Sequence, residues 1–107
     1  MTHAEDDLDV GHNLEITKTT RRASGGGTWV CGTLSGHRVE ALVFPEHADN
    51  PDWEVPGSRI SKLWIQRLAD KREVFNWDRG PDRMAADDTT LQIVAFLAGG
   101  LAEHIYS

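Results

Sequence analysis

The segment Thr28–Phe44, TWVCGTLSGHRVEALVF, predicts a β-hairpin and decides the fold expected for this chain. Two runs rich in β-branched, aromatic and aliphatic residues, Thr28–Leu34 and His37–Phe44, flank the dipeptide Ser35-Gly36. A two-residue connection with glycine closes a hairpin, because glycine adopts the positive φ that such a turn requires. The rest of the domain is therefore expected to extend an antiparallel sheet.

The register of this hairpin divides its side chains between two faces. A two-residue loop pairs Val30 with Ala41 on a face that is nearly all apolar, and we expect that face to meet the core. The opposite face pairs Trp29 with Leu42 and is otherwise mixed, so we expect it to be half solvated. The remaining pairs are Thr28 with Val43 and Gly32 with Val39 on the first face, and Cys31 with Glu40 and Thr33 with Arg38 on the second.

A second hairpin is predicted C-terminal to the first. Arg59–Leu68 alternates as a strand, with Leu63 on one face and Ile60 on the other. Ala69–Arg72 has the composition of a turn, and Glu73–Asp78 forms the next strand. The segment Arg79-Gly80-Pro81-Asp82 then ends that strand, because glycine and proline interrupt regular structure.

The C-terminal part predicts an amphipathic helix from about Ala86 to His104. Asp87 or Asp88 is suited to cap its N-terminus. Gly99-Gly100 inside it costs up to ~1 kcal/mol per glycine relative to alanine, so the helix either restarts there or lies close against the sheet. The apolar positions recur at steps of three and four: Leu91, Val94, Ala95, Ala98, Leu101, Ala102 and Ile105.

Residues 1–27 are polar, begin with a cluster of acids and end in Gly25-Gly26-Gly27, which predicts a flexible arm and linker. A short edge strand at Leu14–Thr19 is the alternative, because those residues alternate. Residues 28–107 then form a single α+β domain. We expect a small, mainly antiparallel four-stranded sheet of two hairpins, covered on one face by the C-terminal helix.

The connection Pro45–Gly57 is longer than an ordinary hairpin loop. It contains three of the four prolines and four acids, and it has no periodicity. Loops of this length are often functional. The alternative is a solvated excursion anchored on the sheet by Trp53 or Val55.

Charge is segregated along the chain, whose formal net charge is −6. The segment 57–83 carries seven of the eleven basic residues against four acids, together with two of the four tryptophans. Exposed aromatics among cations can stack bases and hold phosphates. We favour a core position for Trp64, Phe75 and Trp77, because a domain this small needs buried aromatic area. Candidate binding residues are Trp53, Arg59, Lys62, Trp64, Arg67, Trp77, Asp78, Arg79 and Asp82.

The segment Asn76–Asp82 is the second concentrated feature. Asp78 and Asp82 flank a glycine-proline turn, where they can accept backbone hydrogen bonds and pair with Arg79, and we favour such a turn-stabilising network. No histidine, serine or lysine lies near in sequence to complete an acid-base mechanism. The sequence therefore predicts no catalytic residue and no enzyme.

The sequence also predicts no metal and no cofactor. The five histidines include no pair at a ligand spacing, and His47 with Asp49 and Asp52 offers only weak chelation. The single Cys31 forms no internal disulfide, and no leader opens the chain, which favours the cytoplasm. The longest apolar run, Ile93–Ala98, is far shorter than the ~20 residues of a membrane span.

Three segments resemble a family of small uncharacterised domains found in phage, prophage and plasmid-borne proteins. They are Trp29 with the Gly32–Gly36 hairpin, the segment GSRISKL at 57–63 and the segment NWDRGPD at 76–82. The resemblance spans about residues 28–97. Ser58, Trp77 and Pro81 depart from the family pattern, so no site at that turn is transferred. The resemblance implies a mobile-element origin and an α+β domain, and it implies no known activity.

The sequence thus predicts a small non-enzymatic binding protein that engages a host or phage protein through the open sheet face and the Pro45–Gly57 loop. One alternative is single-stranded nucleic-acid binding by the basic-aromatic hairpin 59–83, which the overall acidity disfavours. Another is an acidic DNA-mimic inhibitor, although the acids are not arrayed on one regular element.

Overall fold

The computed structural model describes residues 14–56 and 58–106. Residues 1–13, which belong to the predicted arm, lie outside that description. The described chain forms one antiparallel sheet and one α-helix, and the strands lie side by side in the order of the sequence. The strands are β1 Glu15–Arg21, β2 Thr28–Leu34, β3 His37–Val43, β4 Ile60–Arg67, β5 Arg72–Asp78 and β6 Pro81–Arg83; a 3-10 turn spans Pro51–Trp53, and α1 spans Asp88–Tyr106.

The α+β class and the C-terminal helix are confirmed, but the predicted number of strands is wrong. Five strands of seven or eight residues form the sheet, and the three-residue β6 extends one edge. The additional strand, β1, lies where Leu14–Thr19 was considered as an edge strand. All its side chains except that of Ile16 are exposed, so backbone pairing to β2 holds it, and hydrophobic periodicity gives little signal for such a strand.

The predicted register of the first hairpin is confirmed in every pair, from Thr28 opposite Val43 to Thr33 opposite Arg38. Both turn residues adopt positive φ, 51° at Ser35 and 74° at Gly36. A turn of this hand matches the right-handed twist of the flanking strands. The local sequence therefore determines which residues of β2 and β3 face the core.

The helix covers the face of the sheet on which Val30, Ala41 and Leu63 lie. Its buried residues are Thr90, Ile93, Val94, Leu97, Leu101 and Ala102. Burying each large aliphatic side chain contributes roughly 1.5–3 kcal/mol. Phe75 and Trp77 also belong to this core, as favoured from the sequence. Trp64 instead lies half-buried on the opposite, open face.

A bulge at Ser61 changes the face of Ile60. Strict alternation places Ile60 and Leu63 on opposite faces of the sheet. In the structure Leu42 pairs with Lys62 and the next residue, Val43, pairs with Ile60, so Ser61 is the extra residue of a bulge. The extra residue turns the fully buried Ile60 into the core. Alternation alone gave the wrong face for Ile60, because it does not reveal a bulge.

Asp87 caps α1, as one of the two candidates proposed. Its Oδ1 accepts hydrogen bonds from the Thr90 backbone N (2.8 Å) and from Thr90 Oγ1 (2.7 Å). These bonds hold the pKa of the Asp87 carboxyl below its usual value, with a further contribution from Arg67. A capped first turn fixes where the helix begins.

The helix runs unbroken through Gly99-Gly100, so the expectation of a restart is wrong. The expected close approach to the sheet is absent as well, because a Cβ at either glycine would meet no described atom within 4 Å. Nothing in the described residues explains the two glycines.

Candidate binding cleft on the open face of the sheet

A cleft of about 430 Å³ lies at one end of the open face. The loop after β3 and the connection between β1 and β2 form it together with residues of β3 and β4. We call it the open-face cleft. Six side chains characterise it: the apolar Leu42, Phe44 and Trp53, and the cationic Arg22, Lys62 and Arg79.

The loop after β3 is held in place by buried groups. Glu54 is almost fully buried, and its carboxylate accepts hydrogen bonds from the backbone N of Ala48 (2.6 Å) and from His47 Nδ1 (2.9 Å). Val55 lies in the core. Of the two anchors considered from the sequence, Val55 is therefore the buried one, and Trp53 stays 42% exposed.

Trp53 is positioned through its backbone. Its carbonyl oxygen accepts a hydrogen bond of 3.2 Å from Trp77 Nε1, and Trp77 itself belongs to the core. The 3-10 turn Pro51–Trp53 adds a bond from Trp53 N to Asn50 O at 3.0 Å. The indole ring is thus presented to solvent from a fixed main chain.

Arg79 lies over this ring, with its guanidinium carbon 5.8 Å from the ring centroid of Trp53. Its backbone has a φ of 56°, and its N donates to Ser61 O at 2.9 Å, the carbonyl at the β4 bulge. The predicted ion pair of Arg79 with Asp78 does not form, because Asp78 faces Lys62 at 3.6 Å. Asp82 lies in β6, and its side chain is not among those described.

Two further cations at the cleft lie near aromatic rings. The Arg22 guanidinium is 5.8 Å from the ring centroid of Phe44, and Lys62 Nζ is 6.0 Å from that of Trp29. Cations near ring faces are attracted by about 0.5–1 kcal/mol at exposed sites. The cleft therefore combines apolar walls with positive charge.

Arg59 and Arg67, two other candidate residues, stabilise the fold. Arg59 donates to Pro45 O and to Glu103 Oε2, the latter at 2.8 Å, which connects the loop to α1. Arg67 pairs with Asp70 at 3.1 Å and with the capping residue Asp87 at 2.9 Å. The hydrogen bonds from Arg67 hold the pKa of the Asp70 carboxyl below its usual value.

The two tryptophans of the second hairpin lie on opposite faces. Trp64 Nε1 donates to Glu73 Oε1 at 3.0 Å on the open face, where Trp64 also faces Glu40 across the strands. Trp77 is only 9% exposed. This hairpin thus offers no pair of exposed indole rings on which bases would stack.

The structure brings three of the nine candidate residues, Trp53, Lys62 and Arg79, into the cleft. Sequence reasoning missed Leu42, Phe44 and Arg22 as lining residues. Arg22 was assigned to the linker, and only the β1–β2 pairing brings it beside Phe44. Gly27 makes this approach possible, because a Cβ there would lie 3.0 Å from the Phe44 ring at a φ of +86°.

The described lining of the open-face cleft combines apolar and cationic side chains with Glu46, His47 and Glu54. Among residues 14–56 and 58–106, no three His, Cys, Asp or Glu side chains come together as a metal site. No helix in the same part of the chain is long and apolar enough to cross a membrane. Apolar contact, stacking on Trp53 and charge-assisted hydrogen bonds from the arginines are what the cleft can supply.

A family model described as a domain of unknown function, DUF7678, matches residues 28–102. The chain belongs to the DUF7678 family. The DUF7678 match begins with β2 and ends within α1, so it includes Trp53, Lys62 and Arg79 but neither β1 nor Arg22. The match shows membership of a family of unknown function, whereas the signature segments and a mobile-element origin stay predictions. The chain has no significant match among curated proteins or solved structures.

Proposed function

We propose that this protein is a small non-enzymatic binding protein that engages another protein through the open-face cleft. The observation that carries the proposal is the pair formed by the exposed Trp53 ring and the Arg79 guanidinium above it. Tryptophan and arginine are among the residues most enriched at energetic hot spots of protein interfaces.

Preorganisation supports a binding role for this pair. The main chain at Trp53 is held by Trp77, and the preceding loop is held by the buried Glu54. A side chain that is already ordered loses little conformational entropy when a partner covers it, where an immobilised flexible side chain costs about 0.5–1.5 kcal/mol. Binding therefore costs little conformational entropy in the main chain that carries the Trp53 ring.

The described titratable groups with shifted pKa values support a non-enzymatic role. They are Arg67, Asp70 and Asp87, and each is explained by a hydrogen bond or ion pair at a turn or at the helix cap. Active sites usually shift the pKa of groups inside a cleft. None of these three residues lines the open-face cleft.

The single-stranded nucleic-acid alternative has less support. Lys62, Arg59 and Arg67 each have a carboxylate partner, which lowers the local positive field that phosphate binding needs. A nucleic-acid strand extending beyond the cleft would also meet the acids elsewhere on this chain, whose net charge is −6. A host or phage protein as the partner rests on the sequence resemblance alone.

Affinity capture with the full chain tests the proposal. We expect wild-type protein to retain a specific protein from bacterial lysate, and Trp53→Ala to reduce that retention at least tenfold, because the central ring is lost. Phe96→Ala is the matched control, since Phe96 is also exposed, at 39%, but lies on α1 across the sheet. We expect this control to retain the partner.

Equal retention by wild type and Trp53→Ala would contradict the proposal, and so would the absence of any specifically retained protein. Nuclease treatment of the lysate separates the alternative. Loss of the retained material after nuclease treatment would favour nucleic-acid binding instead.

A further inference from the structure

We infer that the open-face cleft binds an acidic segment of the partner, with an apolar side chain against Trp53 and Phe44 and carboxylates at Arg22 and Arg79. This inference rests on the proposed function and names the chemistry of the ligand. It is carried by the contrast between these two arginines, which lie over aromatic rings, and Arg38 and Arg59, which pair with carboxylates.

Arg38 and Arg59, in contrast, already have carboxylate partners. Arg38 pairs with Glu40 at 3.0 Å, and Arg59 pairs with Glu103 at 2.8 Å. In the part of the chain that the structure describes, Arg22 and Arg79 have no carboxylate within salt-bridge distance, and each lies over an aromatic ring instead. A guanidinium held by a ring face keeps its N–H donors for a carboxylate.

Arg22 adds an independent observation. Its Nε is buried and has no hydrogen-bond partner among the described residues. Buried polar groups are usually satisfied in folded proteins, and an unpaired one needs a specific explanation. A carboxylate that pairs with the terminal nitrogens of Arg22 from the cleft would offset part of the cost of this unpaired group.

The acids near the cleft are largely engaged with groups of the protein. Glu54 accepts from Ala48 and His47, and Asp78 faces Lys62. Glu46 is the exposed acid that lines the cleft. Although the whole chain is acidic, charges farther away than the Debye length of about 8 Å at physiological salt are largely screened. The local field at Arg22 and Arg79 therefore decides which ligand charge is favoured.

The size and lining of the cleft indicate an extended segment. A volume of about 430 Å³ lies near the lower end of the ~300–1,000 Å³ range of ligand pockets. It accommodates one or two side chains rather than the convex surface of a folded domain. In a segment with an apolar side chain flanked by Asp or Glu, the apolar group can pack against the aromatic rings and the carboxylates can pair with the arginines.

Selection of random 12-residue peptides on the full-length protein tests the ligand chemistry directly. We expect the selected peptides to be enriched in Asp and Glu next to an aromatic or aliphatic residue. In fluorescence anisotropy at physiological salt, Arg22→Gln and Arg79→Gln should each weaken binding of the best peptide at least tenfold. Arg38→Gln is the matched control on the same face and should change affinity less than twofold.

Neutral or basic selected peptides, a failed selection, or unchanged binding by Arg79→Gln would overturn the inference. Partner capture by the wild-type protein and by Trp53→Ala is measured independently of these peptide results. The proposed function is therefore judged separately from the chemistry of its ligand. Circular dichroism of each variant excludes loss of fold as the cause of weaker binding.

A protein lacking residues 1–13 identifies the source of the acidic ligand, because that segment carries Glu5, Asp6, Asp7 and Asp9. Unchanged peptide affinity would support a partner as the source. A tenfold gain would show that the chain's own acids occupy the cleft, and it would overturn the assignment to a partner.

Discussion

Single side chains of this protein connect distant elements through charge-assisted hydrogen bonds. Arg67 at the end of β4 contacts both Asp70 in the following turn and Asp87 at the start of α1. Arg59 similarly joins the loop after β3 to Glu103 of the helix. Residues that look like a basic binding stripe in the sequence thus orient the helix on the sheet.

We predict that Asp87→Ala lowers the free energy of unfolding at pH 7 by about 1 kcal/mol, the usual effect of removing an N-cap. The folded-state pKa of Asp87 is lowered, so its contribution is present above the unfolded pKa of about 3.9 and is lost as pH falls through the folded pKa. The difference in the free energy of unfolding between wild type and Asp87→Ala should therefore become smaller below pH 4. Urea titrations at pH 7 and pH 3 measure it.

Asp88→Ala is the control for this prediction, since Asp88 is exposed in the first turn of α1. Equal losses for the two variants at pH 7 would contradict the capping role of Asp87.

At the scale of elements, glycines of this chain have opposite roles. Gly27 adopts positive φ beside the Phe44 ring, where a Cβ has neither space nor favourable backbone geometry. Gly99 lies inside α1 with open space around it. The path of the chain between β1 and β2 requires Gly27, whereas Gly99 weakens the helix.

We therefore predict that Gly99→Ala raises the free energy of unfolding by about 0.5–1 kcal/mol, because alanine loses less backbone entropy in a helix. Gly27→Ala should lower it. Thermal unfolding of both variants tests the contrast. A destabilised Gly99→Ala would show that this side of the helix is packed in solution.

At the scale of the whole molecule, the sheet is completed by a strand outside the matched family residues. β1 covers the edge of β2, and Leu14 and Ile16 pack at the margin of the core. The same strand brings Arg22 to the cleft. Stability and the candidate site thus both depend on a segment whose sequence is mostly polar.

Deleting residues 1–24 is predicted to lower the free energy of unfolding by about 2 kcal/mol, given the partial burial of two aliphatic side chains. It also leaves the edge of β2 unpaired, which favours association between sheets. Deleting residues 1–13 keeps β1 and is the control, with little expected change. Identical melting of the two truncated proteins would show that β1 does not stabilise the sheet, and amide exchange in β1 gives a second measure.

Local sequence determined the first hairpin and the start of the helix. Ser35-Gly36 sets the pairing of β2 with β3 because a two-residue turn leaves one register, and Asp87 caps α1 because its carboxylate reaches the nearby backbone N–H of Thr90. Tertiary structure alone decided the β1 pairing, the bulge at Ser61 and the meeting of Trp53 with Arg79. These depend on contacts between residues far apart in sequence, which short-range periodicity and turn chemistry do not encode.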